Sequence, residues 1–196
     1  EWIAFVPQRN ADRGALTKYF GRSIDDQYKY RGIECRQRST PDFICEAQKQ
    51  LIEVFDETRN PEAVCGRLSQ FRSQLFSGDV DPKKLGTEIR ISKDPAEYTR
   101  RTLTTAALER ATTLGLERAA GQTVEYVVVD DTKQSAERVR LSLEKPTQYD
   151  PDYYDRELIR AATSVLSPLG WSEDRIRQYL SETNELSLGS FFQESR

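Results

Sequence analysis

Asp150-Pro151-Asp152-Tyr153-Tyr154-Asp155-Arg156-Glu157-Leu158-Ile159-Arg160-Ala161-Ala162-Thr163-Ser164-Val165-Leu166-Ser167-Pro168-Leu169-Gly170 reads as one amphipathic helix with both ends marked. An Asp side chain at the N-cap accepts from the orphan N–H groups of a first turn, and Pro at the next position has no N–H to satisfy. Leu158, Ala162, Val165 and Leu166 fall on one stripe at helical spacing, and Gly170 closes the element.

The same polar-then-proline punctuation recurs upstream at Thr40-Pro41, Asn60-Pro61, Asp81-Pro82 and Asp94-Pro95, and most of these pairs are expected to start helices. After Pro41 the stripe is Ile44, Ala47, Leu51 and Phe55; after Pro61 it is Val64, Leu68, Phe71 and Leu75, with Gly78 as the stop. After Pro95 one or two helices reach Gly115 with Leu108, Ala111 and Leu114 inward, and Ser172 caps a short helix through Ile176 and Leu180. Strands are fewer: Trp2 to Val6, Tyr30 to Cys35, Glu88 to Ile91 and the apolar run Val124 to Val129. The fold class is α+β, a small β-containing N-terminal portion followed by a mostly helical body with short strands. There is no internal repeat and no low-complexity linker.

Composition narrows the chemistry. The 196 residues carry 29 Lys+Arg against 32 Asp+Glu, a net charge of −3. No run approaches the roughly 18–20 apolar residues of a membrane span, and no basic-then-apolar leader opens the chain, so a cytoplasmic protein is expected. With no His, a Ser-His-Asp triad and an H-E-x-x-H zinc site are impossible. There is no Met either, and the chain opens on Glu1-Trp2, so a processed chain or a piece of a longer one is expected. Cys35, Cys45 and Cys65 form no C-x-x-C pair, and a reducing compartment with buried or half-buried thiols is the expectation.

Charge is unevenly spread. From Arg9 to Arg38 eight basic residues (Arg9, Arg13, Lys18, Arg22, Lys29, Arg31, Arg36, Arg38) face four acids (Asp12, Asp25, Asp26, Glu34). Such a strip is either a phosphate-binding feature or a solvated face. The acidic pairs Asp25-Asp26, Asp79/Asp81, Asp130-Asp131 and Asp150/Asp152 each sit beside a turn signal or a proline, where Asp acts as a cap rather than as a magnesium ligand. No G-x-x-x-x-G-K or G-x-G-x-x-G loop is present. No catalytic residue is assigned in this chain.

Several strings, taken in order, resemble the C-terminal part of a family B DNA polymerase of the archaeal, especially haloarchaeal, kind. Thr17-Lys18-Tyr19-Phe20-Gly21 resembles the K-K-R-Y-x-G motif, and Arg31-Gly32-Ile33-Glu34-Cys35-Arg36-Gln37-Arg38 resembles K-G-[IV]-E-x-x-R-R. Thr40-Pro41-Asp42-Phe43 opens the long helix expected next. Ile91-Ser92-Lys93-Asp94-Pro95-Ala96-Glu97-Tyr98 is similar to the thumb signature L-S-K-x-P-x-x-Y. Tyr149 to Tyr154, followed by Leu166 to Gly170, resembles the family's last helix. The pattern departs where Leu16 and Thr17 stand for two lysines and Gln37 for the second arginine, and the catalytic strings D-x-x-S-L-Y-P and Y-x-D-T-D occur nowhere.

The resemblance implies a palm-edge segment over 1–38, a thumb domain over 39–180 and a flexible tail over 181–196. It implies that this part grips double-stranded primer-template DNA through Lys18, Tyr19, Arg36, Arg38 and Lys93, alongside the remainder of a polymerase. Mg²⁺ and dNTPs would bind the palm upstream, so no cofactor is assigned to this chain. Packing in the core is the alternative role for Tyr19 and Tyr98, and an ion pair with Glu34 the alternative for Arg38. Glu185-Leu186-Ser187-Leu188-Gly189-Ser190-Phe191-Phe192 has the spacing of the sliding-clamp box Q-x-x-[LIM]-x-x-[FY]-[FY], with Glu185 at the Gln position and Leu188, Phe191 and Phe192 as anchors. Two rival readings are a free-standing accessory or remnant protein that binds DNA or the clamp without polymerising, and a helical interaction module with no nucleic-acid role.

Overall fold

A computed structural model describes the backbone of residues 1–8, 11–98 and 100–193, and the side chains of residues 1–7, 14–98 and 100–183. Its regular elements are strands β1 (Trp2–Gln8), β2 (Ala11–Arg22), β3 (Tyr28–Arg31), β4 (Thr87–Arg90), β5 (Thr123–Val128) and β6 (Val139–Leu141), with helices α1 (Asp42–Thr58), α2 (Pro61–Ser77), α3 (Leu103–Thr113), α4 (Pro151–Leu166) and α5 (Glu173–Gln193). The strands form two antiparallel sheets, β1-β2-β3 and β4-β5-β6. The chain is thus of mixed α and β structure. No helix among the described residues is long and apolar enough to cross a membrane.

The proline punctuation works by the expected chemistry. Asn60 Oδ1 accepts from Ala63 N at 3.1 Å and Asp150 Oδ1 from Tyr153 N at 2.9 Å. Asp81 and Asp94 cap in the same way, but each opens a single 3-10 turn, Pro82–Leu85 and Pro95–Glu97, rather than a helix. Every residue expected on the inner stripes of α1, α2 and α4 is buried. Leu114 is a correction: α3 ends at Thr113, so Leu114 lies past the stripe as the C-cap and is 39% exposed. The expected strand Tyr30 to Cys35 is also displaced, pairing over Tyr28–Arg31 and giving way to a 3-10 turn at Glu34–Arg36. Gly32 imposes that break: its φ of +66° belongs to the left-handed region, and a Cβ there would run into the Thr17 carbonyl. Helix α5 runs on to Gln193, past the end expected at Leu180, because no proline interrupts the stretch.

Two compact units are distinguished. The first comprises Glu1–Glu34, Ala47–Ser73 and Leu158–Arg196. One face of its sheet packs Phe20, fully buried, against Trp2 and Phe55, with ring centroids 5.8 and 5.2 Å away. Asp56 fastens the edge of this cluster: it accepts from Arg22 Nη1 at 3.1 Å, Tyr28 Oη at 3.0 Å and Arg59 Nη2 at 3.0 Å. The Arg59 guanidinium in turn lies 4.0 Å over the Trp2 ring. Buried Gln48 donates to Glu34 Oε2 at 2.7 Å and to the Ala161 carbonyl at 2.9 Å, so the Glu34 carboxylate is not left unsatisfied. Cys65 is fully buried, and burial pushes its thiol up to about 12.

The second unit comprises Cys35–Glu46 and Gln74–Glu157. Its centre is Tyr154, whose hydroxyl accepts from Val128 N at 2.9 Å and donates to the Leu85 carbonyl at 2.9 Å. On α3, Arg110 Nε reaches both Glu144 oxygens at 3.1 Å, and Leu141 N donates to the same carboxylate at 2.8 Å. The hydrogen bond from Arg110 holds the Glu144 carboxyl below its ordinary value of 4.5. A carboxylate with a lowered folded pKa stabilises the fold above its unfolded value, and that contribution is lost as pH falls through the folded one. Glu144→Gln is therefore expected to be less stable than the parent at neutral pH, and the gap should close as pH drops below 4.5. Urea midpoints at both pH values check this.

Candidate nucleic-acid interface

The sheet of the first unit has a second, outward face. Side chains alternate across a strand and residues in register share a face. Phe5, Tyr19 and Arg31 are in register, as are Ile3, Gly21 and Lys29, so these two rows lie opposite the face holding Phe20. Phe5 and Tyr19 touch edge to face with centroids 5.8 Å apart. Tyr19 is half-buried, Phe5 41% and Ile3 54% exposed, and Lys29 and Arg31 are exposed. Gly21 is what keeps the row flat, because a Cβ there would strike the Trp2 carbonyl. The result is an apolar strip edged by cations.

The basic residues of the N-terminal strip divide by partner. Arg22 is taken up by Asp26 at 2.7 Å and Asp56 at 3.1 Å. Arg38 Nε meets Glu88 Oε1 at 2.7 Å, which replaces the expected pair with Glu34. That pair is exposed, and such pairs contribute at most about 1 kcal/mol. Lys18, Lys29, Arg31 and Arg36 are exposed and form no ion pair among the described residues. Arg9 and the Arg13 side chain lie outside the described residues.

Lys18 and Tyr19 are neighbours on β2 in the first unit; Arg36, Arg38 and Lys93 belong to the second. Lys93 is held locally, with Nζ donating to the Glu97 carbonyl at 2.5 Å and lying 4.9 Å over the Tyr98 ring. Tyr98 Oη accepts from Ser92 N at 3.1 Å, and the Ser92 hydrogen bond lowers its pKa. The loop 92–98 is thus closed on itself. The side chains of Glu185, Leu188, Phe191 and Phe192 lie outside the described residues.

The acidic pairs serve as caps and ion-pair partners. Asp130 Oδ1 accepts from Thr132 N at 3.0 Å and from its hydroxyl, and the hydroxyl bond lowers the Asp130 carboxyl. Asp131 pairs with Arg138 and, at 2.6 Å, with Arg156, while Asp150 Oδ2 accepts from Asp131 N at 2.7 Å. Among the described residues no group of three or more His, Cys, Asp or Glu is placed to hold a metal ion.

No family model matches the chain. Over 182 residues, 90% of this chain, it is 23% identical to a DNA polymerase of Thermococcus sp. (strain 9oN-7), of which that stretch is 23%. It is 25% identical over 168 residues to DNA polymerase 2 of Aeropyrum pernix, covering 83% of this chain and 20% of the relative. The fold matches the family B DNA polymerase of Pyrobaculum calidifontis with a TM-score of 0.64 at 19% identity, covering 83% of this chain and 21% of that one. This chain is similar to archaeal DNA polymerases. It spans less than a quarter of the length of these relatives.

The sequence reading did not single out Phe5, Lys29 or Arg31 as site residues, although the last two stood in the basic strip. Reading β2 as a strand would have aligned them with Tyr19. The glycines and the irregular register after Phe5 hid that alternation.

Proposed function

We propose that this chain is the duplex-gripping, palm-edge and thumb part of an archaeal-type family B DNA polymerase, holding primer-template DNA through phosphate contacts. The observation that carries the reading is the outward sheet face, where Tyr19 lies in register between Phe5 and the exposed Arg31, with Lys29 beside it. Cations without protein partners neutralise phosphates at no cost in broken ion pairs, and such contacts position a duplex without reading its sequence. Tyr19 supplies a rigid ring to lay against a sugar. Lys18, next to Tyr19 in sequence, is a further exposed cation of the first unit. In the second unit Arg36 and, after release from Glu88, Arg38 are the candidate phosphate contacts, and Lys93 contributes least because Glu97 already holds it. DNA polymerisation belongs to the whole protein, with Mg²⁺ and dNTPs on its palm.

The test is fluorescence anisotropy of a labelled duplex with the full chain across about 50–200 mM salt. Changing Lys18, Arg36 and Arg38 together to Ala is expected to weaken binding and flatten the log-log salt slope by about two to three, roughly 0.9 per lost phosphate contact. Lys29→Ala with Arg31→Ala should flatten it by about two. Variants that bind as the parent does would reduce the strip to a solvated face. Tethering to a sliding clamp through Glu185, Leu188, Phe191 and Phe192 is part of the same proposal. A peptide spanning 184–196 should bind the clamp and lose binding with Phe191→Ala and Phe192→Ala.

A further inference from the structure

We propose that the pocket beside Lys145, in the second unit, binds a phosphate group. It encloses about 280 Å³, and Arg140, Glu144, Lys145, Thr147 and Gln148 supply its polar lining. Glu144 is the one acid there, and it is already spoken for: Arg110 binds both its oxygens, and Arg140 lies near enough to lower it further. Arg110 is the guanidinium that binds this carboxylate, while Arg140 and Lys145 are cations with no ion-pair partner among the described residues.

The donors are in place. Arg140 spends Nη1 on the carbonyl of its neighbour Val139 at 2.9 Å and keeps the rest of its fork. The Lys145 ammonium, the Thr147 hydroxyl and the Gln148 amide are exposed and make no hydrogen bond to another described residue. A guanidinium, an ammonium, a hydroxyl and an amide around one small hollow suit the several acceptor oxygens of a phosphate, and charge-assisted bonds of this kind are the strong ones. Lys145 has a left-handed backbone, φ +52° and ψ +60°, closed by its N–H on the Ser142 carbonyl at 3.0 Å. The phosphate could be carried by a small molecule or by a nucleic-acid backbone. The site does not rest on the duplex-binding reading, because none of its residues belongs to the Lys18–Arg38 strip.

The experiment follows backbone amide shifts of the ¹⁵N-labelled full chain. Three titrants are used: inorganic phosphate, a short DNA duplex, and sodium chloride at matched ionic strength. Saturable shifts at Thr147 and Gln148 with phosphate, absent with chloride, are the expected result. If the duplex also moves them, and at lower phosphate equivalents, the group comes from nucleic acid; if it does not, from a small molecule. Lys145→Gly removes the ammonium and suits the left-handed backbone better than Lys does, so it leaves the fold intact. Combined with Arg140→Gln it should raise the phosphate dissociation constant by about tenfold or more. No saturable shift at these amides, or one that survives both substitutions, overturns the proposal. The Lys18, Arg36 and Arg38 variant should leave the phosphate response unchanged, which keeps the two readings separable.

Discussion

Phe20→Ala is expected to destabilise the protein by about 3–5 kcal/mol, the range for emptying a buried aromatic site. Phe20 has no exposed surface, and the Trp2 and Phe55 rings sit 5.8 and 5.2 Å from it and 5.4 Å from each other. Three mutually packed rings cannot close over the missing one without moving β1. Under the proposed duplex-gripping role the loss also weakens DNA binding, because Tyr19 is the next residue and takes its orientation from the strand that Phe20 anchors. Urea unfolding followed by tryptophan fluorescence measures the stability, and duplex anisotropy measures the consequence. Tyr19→Ala is the comparison: its ring is half-buried, so it should cost less stability while removing the aromatic ring that lies on the outward face. A Phe20→Ala loss below about 1 kcal/mol would mean that the cluster is not the core of the first unit.

Tyr154→Phe should cost about 2–4 kcal/mol although it removes a single oxygen. That oxygen accepts from Val128 N and donates to the Leu85 carbonyl, each at 2.9 Å, and Tyr154 is fully buried. Without it a strand amide and a carbonyl are left dry and unpaired, which costs more than the hydrogen bonds themselves contribute. Burial also raises the phenol far above its ordinary pKa, so the hydroxyl stays a donor at every physiological pH. Tyr149→Phe is the comparison. Its hydroxyl donates to Leu75 O at 2.8 Å in a half-buried setting where water can replace it, and about 1 kcal/mol is expected. Equal losses for the two variants would contradict the role assigned to Tyr154.

Helices α1, α2 and α4 were legible because their signals are local. A polar cap, a proline and an apolar stripe at 3.6-residue spacing all act within one element, and each expected inner residue is buried. Strand β2 was not legible. Gly14 and Gly21 break its pattern, and both are glycine because β1 lies too close for a Cβ: one would strike Phe5, the other the Trp2 carbonyl. That reason lives on a different strand and cannot be read from residues 11–22. Strand β6, with three residues, is too short to show any period.

Sequence by itself determined the mixed α and β class, the starts of α1, α2 and α4, the lack of imidazole chemistry, and the order of strings that resembles family B polymerases. Each depends on residue type and near-neighbour spacing. Tertiary structure alone decided which cations of the basic strip are available. Arg22 and Arg38 look no different from Arg31 and Arg36 in sequence, yet the first two meet Asp56 and Glu88, 34 and 50 residues away, and the others meet no carboxylate among the described residues. Coulombic pairing falls off with distance in space and is blind to separation along the chain, so the pairing of these charges is settled only once the chain has folded.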